Sequence, residues 1–530
     1  MKRPLHRGTW SPGRATAIVL AVALNLSPAR AHAAPDRGEE AAAAEGEPGA
    51  RNPADVRVES LPGSHTRGRL RNQRRTGARS RPGAVGAPAP TAPGGSGPVP
   101  SGGRGAPTAT TVEPAEVPAD PFSSMSHEAP MSSAEVERIL EAEATAAPSN
   151  SIFAYKQKLV DAGITPSIQY SGLLWSNVHG GKSTGTQLTS FFAAAFDLDL
   201  EKLLGTWHGL TFRIGWNWYA GPSPTASLLG GLGSMSISFY EASNALRFYE
   251  IHLRQDFGES DRWSIEVGQM AADMDFMVSR YGAIFQNGTF GAFSSFTSFR
   301  NTTSVFRAPV YPLAAPGLLL RLAPFDGFLG RLGVYTADAG QDTDANWGFG
   351  WRLGHGGGAT LFWEAEHDFR PAGRPGALTI GGWAVVGQER SRELPELRPS
   401  NLSFYAMLDQ ALLADAAGEP KLGFFARMGA NEKLNANPIS LSAEAGLNLY
   451  EPIEARPDDV VGLAFGTTRF GDDLRRLLGD IPRGESLLEL TWTAKLASWL
   501  TLQPDLQYFF SPTFSRRDSL VFGLELSATY

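Results

Sequence analysis

The chain has 530 residues, 59 glycines, 10% aromatic residues, no cysteine and a formal net charge of −7. The lack of cysteine excludes disulfides, thiol chemistry and thiolate metal sites. The acidic excess falls in residues 150–530, with 30 basic against 39 acidic residues, which argues against an anion pore and against nucleic acid as a partner.

Lys2, Arg3, Arg7 and Arg14 precede a short apolar run, Ala15–Leu26, and Ala31-His32-Ala33 supplies a small-residue cleavage site. This pattern predicts a secretory signal peptide over 1–33, cut after Ala33, with no cysteine nearby to carry a lipid. No later stretch holds eighteen uninterrupted apolar residues, so the exported chain is expected to be either soluble or a β-barrel. Residues 34–131 are rich in Pro, Gly, Ala and Arg and too poor in apolar residues to build a core, which predicts a disordered arm. Its basic run, Arg67, Arg69, Arg71, Arg74, Arg75, Arg79 and Arg81, reads either as a solvated linker or as a grip on an anionic polymer. Residues 132–158 are expected to be a short helical segment on the periplasmic side. Ser132–Ala146 carries the helix signal, with Ser132 or Ser133 as N-cap and Val136, Ile139 and Leu140 on one apolar face.

Residues 159–530 are assigned to the barrel. Sixteen alternating segments are read at about 166–173, 188–200, 209–218, 247–256, 263–270, 316–323, 328–336, 359–369, 376–387, 402–410, 421–430, 438–449, 459–468, 485–496, 499–509 and 519–530. In the last one Leu520, Phe522, Leu524, Leu526, Ala528 and Tyr530 share a face, while Val521, Gly523, Glu525, Ser527 and Thr529 share the other. A soluble sandwich also alternates. A polar face that repeats charged residues strand after strand, behind an export signal, instead indicates lipid outside and water inside. The expected fold class is all-β: a sixteen-stranded transmembrane antiparallel β-barrel in the outer membrane, preceded by the disordered arm and the short helix. The terminal strand ending at Tyr530 is expected to close the barrel and to be read by the barrel-assembly machinery.

The polar face then lines a lumen. Its charged residues include Arg213, Glu250, Arg254, Glu266, Arg321, Arg331, Glu364, Glu366, Arg427, Glu444, Glu489 and Asp505. Acids and guanidinium groups side by side accept and donate hydrogen bonds, as sugar hydroxyls require, and also form salt bridges within the wall. Residues 271–312 are too long for a hairpin turn and too apolar for a solvated loop, so they are expected to fold inward. Phe276, Tyr281, Phe285, Phe290, Phe293, Phe296, Phe299 and Phe306 recur through them. Two readings stand: rings that stack on a pyranose while Arg280, Asn287 and Arg300 take its hydroxyls, or a plug packed by its own rings. The connection 219–246 is expected to contribute in the same way.

Rival chemistry is weak. His355-Gly356-Gly357-Gly358 resembles an esterase oxyanion loop, but no G-x-S-x-G accompanies it. On a strand His367 points away from Glu364, Glu366 and Asp368, so these cannot converge on one ion. No pair of carboxylates is singled out as a glycosidase acid and nucleophile. No catalytic residue, metal or cofactor is expected.

From about Leu159 to Tyr530 the chain resembles the carbohydrate-selective porins of Gram-negative bacteria, the OprB type. The resemblance rests on Gly163-Ile164, Tyr170, Asn177 to Gly180-Gly181, Glu250 to Gly268, Asn287 with Phe290-Gly291, Tyr311-Pro312, Pro316-Gly317 and Asp409-Gln410. It continues through Arg456-Pro457-Asp458-Asp459 with Gly462, Glu485 to Leu490, and Trp499 to Tyr508 with Pro512, in family order. It implies a sixteen-stranded outer-membrane barrel for passive, selective diffusion of sugars, and it covers none of residues 1–149. The sequence departs from the family after Pro512, where Thr513-Phe514-Ser515-Arg516-Arg517-Asp518 replaces a glycine-rich turn, and in the Phe-richness of the inward loop.

Overall fold

The computed structural model describes residues 152–530 apart from 206, 232–234, 259–261, 295–308, 354–357, 387–401, 435–436 and 480. The helix expected over Ser132–Ala146, the arm before it, Arg300 and His355 lie outside these residues. A helix, α1, spans Ile152–Asp161, so the barrel's first strand begins a few residues later than 159. Gly163 makes the turn between them at φ +86°, where a Cβ would sit 2.9 Å from the Lys202 Cβ.

Sixteen strands follow: β1 Ile164–His179, β2 Gly185–Asp199, β3 Leu210–Ala220, β4 Leu246–Phe257, β5 Trp263–Met270, β6 Ala315–Leu322, β7 Phe328–Thr336, β8 Ala359–Phe369, β9 Gly376–Val386, β10 Leu402–Ala414, β11 Pro420–Asn431, β12 Ile439–Tyr450, β13 Val460–Phe470, β14 Gly484–Ala497, β15 Leu500–Phe510 and β16 Ser519–Thr529. Each pairs antiparallel with its sequence neighbours, and β16 closes on β1 from Gln169↔Thr529 to His179↔Leu520. The alternating segments of the sequence correspond one to one with these strands.

Burial is inverted relative to a water-soluble protein. On β12 to β16 Leu447, Leu449, Leu463, Phe465, Leu488, Leu490, Phe522, Leu524 and Leu526 are exposed, while Glu444, Asn448, Glu489, Thr491, Gln507 and Glu525 are buried. That is the pattern of a barrel whose solvent is lipid. Exposed aromatics gather at both ends, Trp207, Phe257, Trp263 and Phe325 at one and Phe404, Phe510 and Phe514 at the other. The first end carries the short turns, α1 and the last strand's C-terminus, and is therefore the periplasmic end; the long connections 221–245, 271–314 and 337–358 rise from the other.

Candidate functional site

The described first part of the connection after β5, residues 271–294, turns into the barrel and crosses to the far wall, where strand side chains bolt its backbone. Glu489 on β14 accepts from the backbone N–H groups of Gln286 (2.6 Å) and Asn287 (3.0 Å). Asp409 on β10 accepts from Ser279 Oγ (2.7 Å) and Tyr281 N–H (3.1 Å). Glu364 on β8 accepts from Met277 N–H (2.9 Å). Asn448 on β12 and Gln503 on β15 donate to the carbonyls of Tyr281 (2.8 Å) and Ile284 (2.7 Å). Arg427 on β11 donates to the carbonyls of Phe290 (2.8 Å) and Gly291, pairs with Glu444 at 3.0 Å, and lies over the Phe293 ring. A non-helical backbone inside a low-dielectric barrel needs partners for its polar groups, and the lumen side chains supply them.

The aromatics of this loop pack on each other and on the wall. Phe285, Phe290 and Phe425 form one cluster, with Phe285–Phe290 centroids 4.9 Å apart, and Phe276 stacks on Phe362 at 5.0 Å. Phe276, Phe285, Phe290 and Phe293 are all buried, so these rings take the packed-plug reading. Glycine admits them to the wall: a Cβ at Gly462 would lie 2.6 Å from Ile284 Cδ1 and 2.8 Å from Phe285 Cζ. The connection 221–245 joins the same plug. Ser236 O accepts from Gly288 N–H (2.9 Å), and Tyr240 OH accepts from Gln169 (2.7 Å).

The opposite wall carries arginines in ion pairs. Arg213 on β3 meets Asp197 (2.7 Å) and Glu250 (2.8 Å). Arg254 on β4 meets Asp256 (2.8 Å) and Glu266 (3.3 Å). Arg321 on β6 pairs with Glu266 and Asp275. Arg331 on β7 holds Glu364 (2.5 Å) and Glu366 (3.0 Å), and Arg280 reaches from the loop to Glu366 (2.6 Å) and Asp368 (2.5 Å). Their side chains are 12–37% exposed, so the pairs are not sealed off from solvent. Burial opposes the charge of Arg280, yet the Glu366 and Asp368 carboxylates hold its pKa above the usual range. A bulge in β4 turns both Tyr249 and Glu250 inward; the register against β3 shifts between Gly215 and Trp216.

The residues singled out from the sequence thus divide in two. Arg213, Glu250, Arg254, Glu266, Arg280 and Arg321 come together on the arginine wall. Asn287, Phe290, Arg427 and Asp505 are buried, at 0–4% exposure, among the contacts that hold the loop. Glu364 serves both, through Arg331 and through Met277. Asn287 does not face the lumen: its side chain donates to Gln507 (2.9 Å) and accepts from Thr289 N–H (3.0 Å). Sequence reasoning missed Asp197, Asp256 and Asp275, and weighed Asp368 only as a metal ligand. Asp197 and Arg213 are directly paired across β2 and β3, so cross-strand register was the signal that would have found the first.

The model of the carbohydrate-selective porin, OprB family matches residues 189–530. Among solved structures, the chain is similar to OprB of Pseudomonas putida in its high-pH structure, with 20% identity and a TM-score of 0.61 over 71% of this chain and 96% of that one. A mutant of the Rh. blastica porin is similar more remotely, with 9% identity and a TM-score of 0.41 over 69% of this chain and 100% of that one. No curated protein matches by sequence. An inside-out sixteen-stranded barrel with an inward loop, matched over most of its length by one family, makes this chain an outer-membrane porin that belongs to the carbohydrate-selective porin family, the OprB family.

Proposed function

We propose that the barrel passes monosaccharides or small oligosaccharides by passive, selective diffusion along the arginine wall. The observation that carries this reading is the row of paired but partly exposed arginine side chains, Arg213, Arg254, Arg321 and Arg331 on the wall with Arg280 from the loop. Guanidinium N–H groups donate and their carboxylate partners accept, so a hydroxyl can use both roles at once while the paired charges leave little net field for small ions. Selection then belongs to the polar wall rather than to the loop's rings, which are occupied with one another. The tight bolting of the loop supports a second reading, a structural barrel too narrow for solute flux. Liposome swelling separates them: sugars of graded size should enter at rates falling steeply with size, and liposomes that swell with none of them would leave the structural barrel.

Two neighbouring assignments belong to the same proposal. Residues 1–33 are removed on export, and the β16 strand ending at Tyr530 is read by the assembly machinery.

A further inference from the structure

The long-loop rim carries a feature that the sugar reading does not use. β5 and β6 are short, and β5 pairs with β4 no further than Gln269↔Ile251, so β4 runs on to Leu246 without its neighbour. The β7–β8 connection fills this notch. Phe248 N–H donates to Trp347 O at 3.0 Å. Gly348, at φ +100°, makes that approach possible, because a Cβ there would stand 2.1 Å from Phe248 O. Gln269 joins the outer side by donating to Phe248 O (2.6 Å) and accepting from Trp351 Nε1 (3.0 Å). On the inner side Arg247 and Asp342 form a buried ion pair at 2.6 Å. The segment is therefore pinned from both sides.

Despite that pinning it keeps large apolar side chains in the open: Trp347 is 62% exposed, Phe349 52% and Leu353 64%. The Phe349 ring lies 5.5 Å from that of Phe248, which stands with Leu246 and Leu253 on the outer face of β4. The patch thus continues the lipid-facing surface of the barrel up over its rim. Beside it an open groove is lined by Gln341, Thr343, Trp347, Phe349 and Arg352. The Arg352 side chain is 72% exposed, and its ion pair with Asp338 is loose, at 3.7 Å.

We propose that this groove docks an anionic, phosphate-bearing lipid of the outer leaflet. Trp347 and Phe349 seat at the boundary between acyl chains and headgroups, Arg352 takes the phosphate, and Gln341 and Thr343 offer hydrogen bonds to the headgroup. Continuity with the lipid-facing wall selects a lipid over a soluble anion, and the exposed guanidinium selects an anionic one. The reading is independent of what passes through the lumen.

Native mass spectrometry of the full-length barrel in mixed micelles tests it, with lipid A as the probe. The unaltered protein should retain lipid A through delipidating wash and should not retain phosphatidylcholine. Arg352→Gln, and Trp347→Ser with Phe349→Ser, should each weaken retention about tenfold, the scale of one charge-assisted contact. Arg262→Gln, which removes an exposed guanidinium at the opposite rim, should leave it unchanged. Equal retention by Arg352→Gln and the unaltered protein overturns the proposal, as does equal loss in Arg262→Gln. Inorganic phosphate that displaces lipid A at equal concentration also overturns it, in favour of a plain anion site. Hydrogen exchange on the unaltered protein gives a mutation-free check: lipid A should slow exchange across 341–353 and phosphatidylcholine should not, and exchange unmoved by lipid A overturns the proposal.

Discussion

Arg427 shows how the lumen charges divide between building the channel and lining it. Its guanidinium is buried, satisfies three loop carbonyls and neutralises Glu444, whose side chain has no exposure. Arg427→Ala would leave that carboxylate buried and alone, at an expected cost of about 3–5 kcal/mol in urea unfolding followed by heat-modifiable migration. Arg427→Met combined with Glu444→Leu removes both charges and should cost clearly less than the single change. A single variant as stable as the wild type would show that the pair does not hold the loop. Arg321 belongs to the other class. Arg321→Gln leaves Glu266 with Arg254 and His252 and keeps an amide donor for Asp275, so the barrel should still fold, with a smaller loss of stability than Arg427→Ala, while the sugar concentration for half-maximal block rises about tenfold, the scale of one charged hydrogen bond. Alternation told which residues face inward, and it told this correctly for both arginines. It could not tell Arg427 from Arg321, because the difference lies in where a loop from 130 or more positions away lands.

The strands were legible because their period of two persists through every crossing of the membrane; the loops were not, because their partners are long-range. Gln286 meets Glu489 across 203 positions, and no local pattern encodes that contact. The inward course of 271–314 was legible from its length and its rings, whereas the packing of those rings on wall glycines such as Gly423 and Gly462 was not. The connection 221–245 depends on a half-buried carboxyl. Glu241 accepts from the hydroxyls of Ser223 (2.6 Å) and Thr225 (2.6 Å), and burial raises its pKa above the usual carboxylate value in spite of those bonds. A raised carboxyl favours the protonated loop. The loop should therefore be most stable below the unfolded pKa, lose stability as pH rises toward the folded one, and be level beyond it. Protection factors over 223–241, which divide out the intrinsic pH dependence of amide exchange, should be larger at pH 4 than at pH 7 in the wild type and alike at both in Glu241→Gln. An unchanged pH dependence in the variant would move the effect to another group.

At the scale of the whole molecule, one sheet closed on itself separates two solvents. Leucines and phenylalanines turn to lipid, carboxylates and guanidinium groups turn inward, and girdles of aromatics mark the two interfaces. Along β3 to β8 the inner wall carries a row of arginine–carboxylate pairs, and from β6 round to β16 it also packs against or hydrogen-bonds the inward loop. The sugar reading rests on that arginine row. Single-channel conductance of the refolded barrel in a planar bilayer, with glucose and then maltose titrated in, tests it most directly. A stable conductance that sugar reduces in a saturable way, with the effect weakened in Arg280→Gln and Arg321→Gln, is the predicted result. A stable conductance indifferent to sugar, or no conductance from a folded barrel, would contradict it.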